Sequence, residues 1–172
     1  LLVQKAEVDV SARVALSDER LGRRDEVVEG VHLVREPAGL VPRLAELAAG
    51  LADEGFTGLK FDPLPQWKFR QAPYPPWELS LAEIDHADRA VGAVRDAVGN
   101  RADILIGTHG QITPSAARRL ASVLEKHRPL WLEEPCPPEN YQEMGKIARS
   151  TNIPIASGER LVTPFEFQNL FE

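Results

Sequence analysis

Apolar residues recur along this chain in two alternating rhythms. In VPRLAELAAGLADEG (41–55), Leu44, Leu47, Ala48 and Leu51 fall at helical spacing, and Gly55 marks a stop. TGLKFD (57–62) then reads as a short strand. A proline-rich stretch follows over 63–80, carrying Trp67, Tyr74 and Trp77, and it predicts a long structured loop. LAEIDHADRAVGAVRDAVG (81–99) is an amphipathic helix, with Ser80 as cap and Glu83 positioned to close a capping box. The alternation continues with a strand at ADILIG (102–107) and a helix at 114–127, capped by Thr113 with Pro114 at its first position. PLWLEE (129–134) is a strand and 139–150 a helix, whose early Glu139 suits the helix dipole. IPIAS (153–157) is a strand, and a further helix is predicted over 163–172 behind Thr163 and Pro164.

Short apolar strands alternating with helices predict an α/β fold with a parallel sheet. Two architectures fit that pattern: an open doubly wound sheet, or a partial (β/α)8 TIM-type barrel of about four to five βα units, since a whole barrel takes ~250 residues. Residues 41–172 carry the pattern. Residues 1–40 form a separate segment, in which VDVSARVAL (8–16) alternates weakly and DERLGRRDEVVEG (18–30) is charged, so the pattern assigns it at most one or two edge strands.

Composition narrows the function classes. The formal net charge of −6 disfavours a nucleic-acid partner. No apolar run approaches the ~20 residues that span a bilayer, which argues against a membrane protein. A single cysteine, Cys136, allows no internal disulfide, as expected of a cytoplasmic protein. Standing between prolines with no histidine nearby in sequence, Cys136 reads as a packing residue. His86, inside its helix, reads as a partly exposed surface residue. There is no G-x-G-x-x-G or P-loop sequence for a nucleotide phosphate.

In either architecture ligands bind where strands end at their carboxyl termini. Lys60 and Asp62 close the first clear strand, His109 follows the second, Glu133 and Glu134 end the third, and Glu159 follows the fourth. A charged residue at one strand end is ordinarily a solvated loop residue; four successive strands with polar termini point to one locality. Two glutamates on adjacent strands form a hard, oxygen-rich set suited to Mg²⁺, and a lysine and a histidine beside them suit proton transfer next to a substrate carboxylate.

GLKFDP, the GTHGQ turn, LWLEEP and PIASGER, in this order and spacing, resemble the barrel domain of the enolase superfamily. Within it they are most similar to the acid-sugar dehydratases of the mandelate racemase group, such as galactonate dehydratases. The resemblance covers about 41–172. It implies Mg²⁺ held by carboxylates at three strand ends, two of which match Glu133 and Glu159. The third position, normally an aspartate two residues before the histidine, is Gly107 here, and Asp103 lies too far upstream to replace it. Lys60 matches the first lysine of the family's second-strand motif. Asp62 stands where racemases place a proton-abstracting lysine, which fits dehydratases better than racemases. His109 matches the histidine that protonates the departing hydroxyl, and Arg160 and Glu134 are candidates for contact with the substrate or with the residues around it.

The implied reaction converts an aldonate or aldarate to a 2-keto-3-deoxy acid through an enediolate, stabilised by Mg²⁺ and Lys60, with the base supplied by later barrel strands. A small-molecule sugar acid is then the expected substrate. An open part-barrel exposes strand edges, so a homo-oligomer is also expected. Two rivals stand beside this reading. One is a non-catalytic or incomplete relative, favoured by Gly107; the other is a doubly wound domain that binds a small ligand without chemistry.

Overall fold

A computed structural model describes residues 39–64 and 76–171. The predicted assignment of residues 1–40 falls almost entirely outside them, as does most of the 63–80 loop. Helix α1 (Leu40–Asp53) leads into strand β1 (Gly58–Phe61), followed by α2 (Leu81–Val98) and β2 (Asp103–Gly107). Then come α3 (Pro114–Leu124) with a 3-10 turn at Glu125–His127, β3 (Trp131–Glu133), α4 (Tyr141–Ala148), β4 (Ile155–Ala156) and α5 (Pro164–Phe171). Every predicted helix and strand from 41 onward is present. Most are a residue or two shorter at their ends, and Glu139 precedes its helix, which Asn140 caps through Glu143 N.

The helix starts have the local chemistry their sequences prescribe. Ser80 Oγ accepts from Glu83 N, and the Glu83 carboxylate accepts from Ser80 N at 2.7 Å, which satisfies two otherwise orphaned donors. Thr113 Oγ1 accepts from Ala116 N, with Pro114 at the first helical position. Thr163 and Glu166 repeat the reciprocal arrangement at the start of α5.

All strand pairs are parallel, and the sheet order β1-β2-β3-β4 follows the chain. A doubly wound sheet needs a reversal of strand order with helices on both faces. This sheet has neither among the described residues: it winds one way, like a barrel wall. Leu59, Phe61, Ile104, Ile106 and Leu132 turn to one face and are buried in a core shared with Val91, Val94, Leu120 and Ile147 of the helices. The strand period of two therefore sends the alternate residues to the other face. Register aligns Lys60 with Leu105, Leu105 with Trp131, Gly107 with Glu133, and Glu133 with Ala156. Those residues form one row-by-row surface, and its upper edge carries the polar positions singled out in the sequence.

α2 is flanked by α1 and α3. This explains His86, which is only 6% exposed and not the surface residue its helix position suggested. At the other side of the fold, Val162, Phe165 and Phe171 are exposed on and beside α5, and β4 has no strand on its outer side among the described residues. That is the kind of surface behind the expectation of self-association.

At the lower edge of the sheet one side chain spans the entries to two strands. Arg95 on α2 donates Nε to His127 O at 3.0 Å, a terminal nitrogen to Gly99 O and Ala102 O at 2.7 and 3.1 Å, and the other to Arg128 O at 3.1 Å. It thereby clips together the segments entering β2 and β3, on the face of a βα array that serves stability and not chemistry. Arg95→Met should lower the unfolding free energy by about 2 kcal/mol, because charge-assisted bonds to half-buried carbonyls are lost together. Urea unfolding followed by circular dichroism measures it, and an unchanged midpoint would show that the clip is not a stabilising element.

Candidate functional site

The upper edge gathers six of the seven singled-out residues into three linked contacts. Lys60 Nζ donates to Glu133 Oε1 at 2.6 Å, from β1 to β3, with side-chain exposures of 19% and 15%. Two strand spacings, about 9.6 Å, separate those backbones, so the lysine must cross β2. It does so over Gly107: a Cβ there would lie 3.1 Å from Lys60 Cε. The second Glu133 oxygen, Oε2, accepts from Trp131 Nε1 at 3.0 Å. Trp131 stands two residues from Glu133 on the same strand face. That i, i+2 spacing was readable in the sequence, and the reading missed it.

The second contact joins Asp62 and His109. Asp62 Oδ1 accepts from Leu64 N at 2.8 Å, which fixes the carboxylate just past β1. Its Oδ2 lies 3.2 Å from His109 Nδ1. The His109 ring is half exposed while the Asp62 carboxylate is nearly enclosed. The hydrogen bond from His109 to the Asp62 carboxylate raises the His109 pKa above its ordinary value; burial opposes it, the charges of Asp62 and Glu159 reinforce it, and Lys60 counteracts it. The imidazolium is thus favoured, with Nδ1 directed at Asp62.

The third contact supports the second from below. Glu134 is fully buried, and its Oε2 accepts from Arg160 Nε at 3.0 Å. Burial pushes the Glu134 carboxyl up, against the pull of Arg160. Arg160 also donates to the carbonyl of His109 at 3.3 Å. His109 (φ 53°) and Glu134 (φ 44°) both adopt left-handed backbone, an arrangement costing of order 1–3 kcal/mol each for non-glycine residues. The turn is held by Gly110 N to Glu134 O at 2.7 Å, Thr108 Oγ1 to Glu134 O at 2.9 Å, and Thr108 N to Glu133 O at 3.1 Å. Gly110 has φ 64°, and a Cβ on it would strike the Arg160 guanidinium. Buried Thr108 had no signal in the sequence beyond its place in the GTHGQ turn. Cys136 is buried with its thiol pushed up to about 11, chiefly by desolvation, consistent with a packing role.

Glu159 stands apart. It is exposed and makes no hydrogen bond or ion pair among the described residues; its influence on His109 and Glu134 is through charge. This bears on the metal that the family resemblance implies. Mg²⁺ is held by one or two carboxylates in near-octahedral geometry, with water or substrate oxygens in its other positions. Here the Lys60 ammonium is already paired with Glu133, whose other oxygen accepts from Trp131, β2 supplies no side chain at Gly107, and Glu159 is exposed. Among the described residues no group of three or more His, Cys, Asp and Glu is placed to hold a metal ion. The residues described do not fit a three-carboxylate metal site.

Sequence comparison agrees with this geometry at the level of family. The sequence matches the family described as enolase C-terminal domain-like over residues 43–172. D-xylonate dehydratase of Haloferax volcanii is 37% identical over 153 residues, which are 87% of this chain and 36% of that protein. D-galactonate dehydratase of Variovorax paradoxus is 40% identical over 89 residues, or 52% of this chain and 23% of that protein. Among solved structures, a mandelate racemase/muconate lactonizing enzyme from Jannaschia sp. CCS1 superposes with a TM-score of 0.66 at 45% identity, covering 73% of this chain and 32% of that one. Another from Sulfitobacter sp. gives a TM-score of 0.70 at 37% identity, covering 76% and 32%. The chain spans about a quarter to a third of the length of these relatives. The four βα units among the described residues are accordingly a portion of a (β/α)8 barrel, and the chain belongs to the enolase C-terminal domain-like family.

Proposed function

We propose that these residues form part of the active site of a sugar-acid dehydratase, a hydro-lyase acting on an aldonate or aldarate. The observation that carries the reading is the Asp62–His109 pair: an enclosed carboxylate lies 3.2 Å from a half-exposed imidazole at the carboxyl edge of the sheet and favours its charged form. A dehydration needs such an acid, because hydroxide is a poor leaving group until it receives a proton. The two named dehydratases similar to this chain point to the same substrate class.

In this reading a base, which the family resemblance places on later barrel strands, takes the proton from the carbon next to the substrate carboxylate, and negative charge spreads onto the carboxylate oxygens. Lys60 supplies positive charge where that enediolate forms, shielded from bulk water by its neighbours. His109 donates its proton to the hydroxyl on the adjacent carbon, which departs as water, and the enol tautomerises to the 2-keto-3-deoxy acid. Asp62 orients the ring, and Arg160 holds the backbone that carries it. The described residues do not fit Mg²⁺, so positive charge at the enediolate comes from Lys60. The engagement of Glu133 by Lys60 and Trp131 also favours a second reading, a relative that binds a sugar acid without dehydrating it.

Incubation of a form that also carries the later barrel strands with D-xylonate, D-gluconate and D-galactonate, assayed for 2-keto-3-deoxy acid, separates the two. The dehydratase reading expects product, and His109→Asn should slow its formation by roughly 10²–10⁴-fold, the usual worth of a positioned acid. Binding without turnover would select the second reading, and neither binding nor turnover would sink both.

The charge state of His109 gives an independent check. Its folded pKa is raised, so the Asp62 pair contributes stability that is complete below the unfolded value of ~6.5 and is lost as pH rises through the folded value. Turnover should fall over the same alkaline limb, since only the imidazolium donates. An NMR titration of the His109 ring should show a midpoint above ~6.5, moving down in Asp62→Asn. A midpoint at or below ~6.5 in the unsubstituted protein would contradict the pairing.

A further inference from the structure

We infer that the Lys60 ammonium is the resident cation of this site: it occupies the ground beside Gly107 and Glu133 that the fold could otherwise give to a divalent ion, so that an anionic substrate is met by an amine and not by a metal. The inference stands on the geometry of three adjacent strand ends. Lys60, Gly107 and Glu133 lie on one sheet face in successive strands, as the register with Leu105 and Trp131 requires. The middle member has no side chain, and the space a side chain would take holds the end of the lysine, 3.1 Å from the Cβ position to Cε and 3.9 Å to Nζ.

A carboxylate at position 107 would project into that space, and the lysine and that carboxylate could not both keep their places unchanged. Glycine therefore does two things at once. It withholds a carboxylate ligand, and it clears the path by which a positive charge from β1 reaches β3. The Glu133 carboxylate is then neutralised and its second oxygen taken by Trp131 Nε1. A divalent ion arriving here would have to displace an ammonium 2.6 Å from the carboxylate in a pair largely withdrawn from solvent. It would gain one carboxylate in return, the low end of the one or two that Mg²⁺ takes beside its waters, and only by breaking a sheltered ion pair.

What the site offers an incoming ligand is accordingly an amine paired, among the described residues, with the Glu133 carboxylate, and the His109 ring at the same edge. That combination suits a carboxylate-bearing polyol, whose carboxylate can share the Lys60 protons. It predicts binding that a chelator leaves untouched. The identity of residue 107 is the selector: a small residue admits the lysine, and an acid there would favour a metal.

The metal inference is read without any sugar acid, so its failure and that of the dehydratase reading are distinguishable. Mn²⁺, a paramagnetic stand-in for Mg²⁺, is titrated into the 172-residue chain and free Mn²⁺ is followed by electron paramagnetic resonance. The unsubstituted protein should bind Mn²⁺ no better than Glu133→Gln. The double substitution Lys60→Met with Gly107→Asp, which removes the amine and adds a carboxylate, should tighten binding about tenfold or more. Stoichiometric binding by the unsubstituted protein that weakens about tenfold in Glu133→Gln would overturn the inference. Should a variant fail to fold by circular dichroism, the unsubstituted chain alone decides. At equimolar Mn²⁺ its Gly107 and Glu133 amide resonances should stay sharp, and selective broadening of both would refute the assignment.

Discussion

A single ion pair laid across an intervening strand sets the layout of the site. Lys60 leaves β1, passes over Gly107 of β2 and meets Glu133 of β3 at 2.6 Å. Three features of the chain must agree for this to happen: the parallel register that puts all three residues on one face, the missing side chain in the middle, and an indole that holds the far oxygen of the carboxylate. The pair is mostly sheltered, so losing one partner would strand a charge in a poorly solvated place. Position 107 is thus the constraint on which the others depend.

Around that pair the fold divides its labour between two edges. The lower edge is closed by Arg95, which gathers four carbonyls from the turns entering β2 and β3. The upper edge holds two residues in left-handed backbone, His109 and Glu134. That strain is offset by a compact set of bonds through Thr108, Gly110 and Arg160, and it turns each side chain away from the simple alternation of a strand. His109 is thereby presented at the edge against Asp62. Glu134 is folded inward to anchor Arg160, which returns to support the His109 carbonyl.

The alternation of apolar strands and helices was legible from the sequence because each element is short and cleanly bounded by caps and prolines. The list of edge residues was legible for the same reason: strands end where apolar runs end. Element ends were not, since the turns after Gly107 and Glu133 rest on left-handed residues and carbonyl bonds that no apolar period encodes. Nor was the pairing of Lys60 with Glu133, residues 73 apart, because it follows from register. Gly107 was readable only as a ligand that is not there; its positive role, as the gap a lysine crosses, needs coordinates. His86 was misjudged because a helix flanked by two others buries more than one face.

Two kinds of site can be built at the ends of parallel strands with these residue types. One converges carboxylates on a metal, and the other neutralises a carboxylate with an amine from a neighbouring strand. The most direct test between them is a crystal structure of this chain grown in millimolar Mg²⁺. The account predicts the lysine ammonium still within hydrogen-bonding reach of Glu133, with the indole on the other oxygen. An octahedral ion about 2.1 Å from Glu133, with the lysine swung aside, would contradict it.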